Sequence, residues 1–163
     1  MDALLARVQR LEDIEAIRRL KARYLHACDR KNIPALRDCF ADGDVEIDYG
    51  AIGCFSNRDD FLKVYQEKAC HPHVIDIHHG HNEQIEWHSA SEASATFDLF
   101  FYQIDTSSGM LIQLGGYYED RFAKSGEEWK ITATKFVVTS TLVNQVGDGK
   151  FNPLFQGVAP PPI

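Results

Sequence analysis

The sequence lacks a C-x-x-C pair: Cys28, Cys39, Cys54 and Cys70 stand far apart, which argues against a zinc knuckle or a dithiol redox motif. It also lacks any apolar run near the roughly 20 residues that span a bilayer. The opening Met1-Asp2-Ala3-Leu4-Leu5-Ala6-Arg7 has no apolar stretch of the kind a secretory signal needs. Positive charge is scarce: 17 Lys and Arg stand against 24 Asp and Glu, a formal net charge of −7, with no long basic cluster. Nucleic acid and anionic membranes both require a basic face, so neither is expected as a partner. Internal repeats and low-complexity segments are missing too. Cysteines kept as reduced thiols, with no leader, predict a cytoplasmic protein.

What is present is an ordinary globular composition, 44% hydrophobic and 25% charged over 163 residues. That is enough chain for one domain with a sizeable core. Apolar residues at Leu4, Val8, Leu11, Ile14, Ile17, Leu20, Tyr24 and Cys28 follow the helical period, with Asp13 and Lys21 among the charges expected mainly on the solvent side. Two heptads of this kind also suit an interaction helix. Asn32-Ile33-Pro34 starts a second helix, and Ser56-Asn57 offers an N-cap for a third from Arg58 to about Lys68. Short strands are expected at Val45 to Tyr49 and near Ile52 to Phe55. Four long strands then follow, Val74 to Trp87, Glu92 to Asp105, Met110 to Lys124 and Trp129 to Thr141, joined by polar hairpin-length turns.

Helices first and long antiparallel strands after predict an α+β fold, a curved sheet bent at Gly80 and Gly115-Gly116. Residues 1–145 form the domain in this reading. Residues 146–163 form a tail, an extended coil that Gly147, Gly149 and the prolines keep from regular structure. Its apolar Phe151, Leu154 and Phe155 suggest a flap over a pocket or a contact between subunits.

Two features bear on chemistry. Asp29 falls in the last turn of the first helix, where a carboxylate opposes the negative end of the helix dipole. Arg30 and Lys31 offset that at the surface in one reading; in the other, Tyr24 and Asp29 flank an apolar seam that faces the sheet. The second feature is the cluster His71, His73, His78, His79 and His81. His79 and His81 share a strand face with Glu83, a thin set for a metal, and the metal reading is the minor one. A catalytic histidine needs an orienting carboxylate, which Asp29 supplies in principle. Alternation alone does not put His78 inside, since it has the parity of Asp76 and not of Ile75 and Ile77. Phe97, Phe100, Phe101 and Tyr102 are core residues first and a substrate wall second.

The run Leu11 to Tyr24 and on to Asp29, with Ile77-His78-His79-Gly80-His81-Asn82, Gly115-Gly116-Tyr117-Tyr118 and Trp129-Lys130-Ile131, resembles the scytalone dehydratase and polyketide-cyclase (SnoaL-like) branch of the nuclear-transport-factor-2-like superfamily. That branch also holds bile-acid 7α-dehydratase and hexachlorocyclohexane dehydrochlorinase. The resemblance implies a cone-shaped α+β barrel closed by N-terminal helices, with no cofactor, no metal and often a homotrimer. It carries the catalytic pair onto His78 and Asp29, and pocket tyrosines onto Tyr24 and Tyr49. Two positions depart from relatives with polar groups there: Phe101, on the strand after the histidine, and Val138, on the last strand. With Phe97 they make the expected substrate wall.

The function expected is therefore a cofactor-independent lyase. An Asp/His dyad would abstract a proton and eliminate water, halide or a small aldehyde from an apolar, ring-containing substrate. Three alternatives stand beside it: an isomerase or cyclase using the same dyad, a non-catalytic ligand-binding module, or a small subunit of a ring-hydroxylating dioxygenase.

Overall fold

The three- and four-residue apolar steps of the first thirty positions fold as α1, Asp2–Asp29. Its two halves differ. Leu4, Leu5 and Leu11 are 62–66% exposed, whereas Ile17, Leu20, Tyr24, Leu25 and Cys28 are buried against the sheet. The structure, a computed structural model, describes residues 2–158; the Pro160-Pro161-Pro162 end of the expected tail lies outside them.

Asn32 caps α2 (Ile33–Asp38) by accepting from the Ala35 amide at 3.1 Å. Asn57 caps α3 (Arg58–Ala69) by accepting from the Asp60 amide at 2.8 Å. Both caps satisfy amides that the first helical turn leaves without partners. Between the two helices lie β1 (Asp44–Asp48) and β2 (Cys54–Asn57). The long strands follow as β3 (Val74–Trp87), β4 (Glu92–Asp105), β5 (Met110–Ser125), β6 (Glu128–Gly147) and β7 (Lys150–Gly157).

Among the described residues the seven strands form one curved, unclosed sheet in the order β2-β1-β6-β5-β4-β3, with β7 pairing the far end of β6. All pairs are antiparallel except β1 with β6. The fold is the expected α+β arrangement, with the sheet left open where a barrel would close. The α1 helix fills the inner face, and the core runs from Ile17 and Leu20 through Phe40 and Phe61 to Phe122, Trp129 and Ile131.

Three expectations change. Asp13 and Lys21 are buried, not solvated: Asp13 accepts from Trp129 Nε1 at 3.0 Å and Lys124 Nζ at 2.9 Å, while Lys21 meets Asp120. Strand β6 runs on to Gly147 and pairs with β7, so the expected coil is half of a hairpin that crosses the 145/146 boundary. Pro153 is tolerated because β7 is an edge strand and the pairing slips between Val143 and Asn144 beside it. The bend expected at Gly80 falls instead between His81 and Gln84, with Asn82 at φ 52°. Gly80 has another reason to be glycine, because a Cβ there would come within 2.6 Å of Leu25 Cδ1. The shift at Gly115/Gly116 is where the two glycines predict it.

Candidate active site

The edge position of β3 creates the site. One side of the strand pairs with β4, placing His78 opposite Phe101, and the other side presents unpaired amides. The end of α1 covers that side. Asp29 Oδ1 accepts from the His78 backbone amide at 3.0 Å and from His78 Nδ1 at 2.6 Å, and Oδ2 lies 3.3 Å from the same amide. A single carboxylate therefore grips one residue through both its main chain and its ring. The carboxylate accepts only, so Nδ1 carries the proton, and in the neutral imidazole the lone pair is on Nε2. The His78 side chain is 11% exposed and that of Asp29 25%, so the pair is sheltered yet reachable.

Asp76 is buried while Ile75 and Ile77 are exposed, so the polar-parity residues of β3 face inward. This reverses the hydrophobic alternation. The reason is that Asp29, Lys31 and Gln103 satisfy the inward polar groups. His79 and His81 lie on the exposed side, and among the described residues no three His, Cys, Asp or Glu side chains converge as a metal site.

Sheet register supplies the wall around His78. One row runs His78, Phe101, Leu114 and Thr141; the next runs Gly80, Leu99, Gly116 and Val138. Directly paired residues share a face. The Phe101 ring lies 4.7 Å from the His78 ring, centroid to centroid. Leu114, Phe136 and Val138 are half-buried on the same inner surface. Gly116 cannot carry a side chain there, since a Cβ would sit 2.3 Å from the Val137 carbonyl oxygen. Phe97 is buried deeper, with Lys21 Nζ 5.6 Å from its ring.

Tyr24 and Tyr49 meet through their hydroxyls at 2.6 Å, inside a cluster with Phe40, Phe61 and Tyr118. Burial pushes both phenols above their ordinary range, so each is a hydrogen-bond donor and not a base at neutral pH. Burial also pushes the Cys28 thiol up to about 12, which removes it as a thiolate nucleophile. A separate groove of about 510 Å³ includes Glu46, Glu86, Glu119, Arg121 and Lys135 in its lining and contains no member of the dyad.

Sequence reasoning missed Lys21, Asp120, Lys31, Asp76 and Gln103. Lys21 carried a signal, since it lies four residues after Ile17 and three before Tyr24, on the face those residues bury. Nothing in the spacing marks Lys31, whose partner comes 45 positions later.

Comparison with solved structures finds the same fold in dehydratase-like proteins. A candidate scytalone dehydratase from Novosphingobium aromaticivorans DSM 12444 superposes with a TM-score of 0.75 at 22% identity, covering 90% of this chain and 95% of that one. Hexachlorocyclohexane dehydrochlorinase LinA-type3 from Novosphingobium barchaimii LL02 gives 0.72 at 20% identity, covering 94% and 99%. A candidate aromatic ring hydroxylase from N. aromaticivorans gives 0.68 at 20%, covering 77% and 88%. At these identities the likeness establishes the fold. The SnoaL-like domain family matches residues 9–135, a span that takes in α1 from residue 9 onward, the histidine strand and the paired tyrosines. With most of its length inside that match, the chain belongs to the SnoaL-like domain family.

Proposed function

We propose that the chain is a cofactor-independent lyase in which His78 is the general base and Asp29 its orienting carboxylate. The observation that carries this is the double grip of Asp29 on His78, which fixes the tautomer and leaves Nε2 free beside an apolar wall. Nε2 removes a proton from a carbon or oxygen next to an activating group, and the Asp29 charge offsets the imidazolium that forms. Electrons left on carbon form the new π bond and expel halide, or hydroxide that takes the proton back from the His78 imidazolium and leaves as water. Where the proton comes from a hydroxyl, its electrons form the carbonyl of a small aldehyde, the carbon–carbon bond breaks, and the carbanion takes the proton from the imidazolium. The Tyr24–Tyr49 pair donates to a carbonyl or leaving-group oxygen. Phe101, Leu114, Phe136 and Val138 suit a neutral ring compound. The fold shared with a dehydrochlorinase and a candidate scytalone dehydratase supports elimination.

The test incubates ring compounds bearing β-leaving groups with the protein and follows product mass. Loss of the leaving-group mass supports a lyase. A product of unchanged mass moves the reading to an isomerase or cyclase using the same dyad, and binding without any product moves it to a ligand-binding module or a dioxygenase small subunit. Tyr24→Phe should lower kcat/KM by about 2- to 12-fold, the worth of one neutral hydrogen bond of about 0.5–1.5 kcal/mol. An unchanged value would remove Tyr24 from the site.

The hairpin of β6 and β7 belongs to this proposal. The row Asp76, Gln103, Ile112, Val143 and Phe155 leads from the His78 side of the sheet across to β7. We read β7 as part of the pocket mouth and the chain as a homo-oligomer, a trimer by resemblance, in which the exposed Leu4, Leu5 and Leu11 are covered. Deleting 148–163 should raise KM about tenfold, roughly 1.4 kcal/mol, while circular dichroism stays that of a folded protein. Smaller species on size-exclusion chromatography would assign β7 to a subunit contact instead, and no change in either would make it packing only.

A further inference from the structure

The end of α1 carries an unusual choice of residue. The Asn32 amide donates to the Ala27 carbonyl at 2.9 Å and the Lys31 amide to the Cys28 carbonyl at 3.1 Å, the two bonds of a Schellman helix end. The residue that turns the chain out of such an end is usually glycine, because it must adopt a left-handed backbone. Here it is Lys31, at φ 55°. A lysine at this position costs conformational energy that glycine would not, so its side chain is where a compensating contact belongs.

That side chain goes to the active site. Lys31 Nζ pairs with Asp76 Oδ2, and Gln103 Nε2 holds the other carboxylate oxygen at 2.8 Å. The Lys31 Nζ also stands 5.7 Å from the centre of the Tyr65 ring, whose hydroxyl donates to the Cys28 carbonyl at 2.7 Å. Lys31 comes two residues after Asp29, and Asp76 two residues before His78. The Asp29–His78 and Lys31–Asp76 contacts are thus neighbouring rungs joining the same helix end to the same edge strand. With the Asp76 side chain 3% exposed and that of Lys31 19%, the second rung is sheltered enough to hold one geometry.

We propose that Lys31 and Asp76 are positioning residues that lock the end of α1 against β3 and so hold Asp29 on His78. Neither touches the reacting atoms. Without the second rung, the helix end swings about the Schellman turn and the Asp29 carboxylate no longer meets the His78 amide and Nδ1 together. The functional importance of this rests on His78 being the base; the clamp itself does not.

The experiment needs no substrate. In full-length ¹⁵N-labelled protein, the His78 backbone amide and Nδ1–H both donate to Asp29 and report the dyad directly. Lys31→Gly suits the backbone at that position, so the helix end still forms, and Asp76→Asn removes the pair from the other side. In both variants the two His78 protons should exchange with water about tenfold faster or more, while amides of β4 to β6 keep their shifts. Lys31→Arg keeps a cation and should keep the slow exchange. Unchanged His78 exchange in both Lys31→Gly and Asp76→Asn would overturn the clamp, as would equal loss in Lys31→Arg and Lys31→Gly. Should the His78 protons respond as expected while His78→Ala leaves turnover intact, the clamp stands and the lyase reading falls.

Discussion

Replacing His78 by alanine is expected to lower kcat by about 10²- to 10⁴-fold, the usual contribution of a positioned acid–base group, while ligand affinity stays within about tenfold. The geometry makes the variant informative. Alanine retains the backbone amide at position 78, so Asp29 keeps its main-chain bond and the helix end stays docked. Only the imidazole is lost, and with it Nε2. Asp29→Asn should lose less. Its amide oxygen still accepts from the His78 amide and holds the ring, but it no longer offsets an imidazolium charge. The measurement is single-turnover kinetics on a substrate found by product mass, paired with binding to the same compound. Parent-like turnover in both variants would make the dyad a structural link between α1 and β3 and the chain a binding module.

Much of the fold can be read along the chain because it depends on local rules. The α1 period, the Asn32 and Asn57 caps and four strands separated by polar turns each rest on neighbours in sequence. The dyad required the family resemblance, since alternation on β3 points the wrong way: Ile75 and Ile77 face outward and Asp76 and His78 inward. The inversion follows from partners far along the chain, Asp29, Lys31 and Gln103, which make a polar inner face cheaper than periodicity assumes. The β7 strand was hidden for a similar reason. Gly147, Gly149 and Pro153 look like breakers, but Gly149 sits in the hairpin turn at φ 69° and Pro153 lies at a register slip on an edge. The charged pair inside the helix–sheet core was only half legible: spacing puts Lys21 on the buried face of α1, but no pattern in one segment states that its lysine has a carboxylate waiting in another.

That buried pair carries the largest expected effect on stability. Lys21 Nζ lies 2.7 Å from Asp120 Oδ2, with side chains 2% and 0% exposed. The approach is close but poorly directed for a hydrogen bond, and Thr134 Oγ1 on the neighbouring strand makes no well-formed hydrogen bond among the described residues either. Burial pulls the Lys21 ammonium below its ordinary range, and attraction to Asp120 works against that. The Tyr118 ring, 3.3 Å from Nζ at its centroid, and the Tyr24 ring at 4.9 Å supply further negative faces to the cation. Two desolvated charges so arranged add little over a well-packed apolar pair, yet neither tolerates the loss of its partner. Lys21→Met and Asp120→Leu should therefore each destabilise the protein by about 3–5 kcal/mol. At this chain length that corresponds to a fall in Tm of roughly 6–20 °C. The double variant should recover most of the loss, since no uncompensated charge remains and Met and Leu can pack against Tyr24, Phe97 and Tyr118. Thermal melts of the three variants decide the matter. Single losses below about 1 kcal/mol would mean that water reaches the pair, and a double variant as unstable as the sum of the singles would mean that the two charges do not compensate each other.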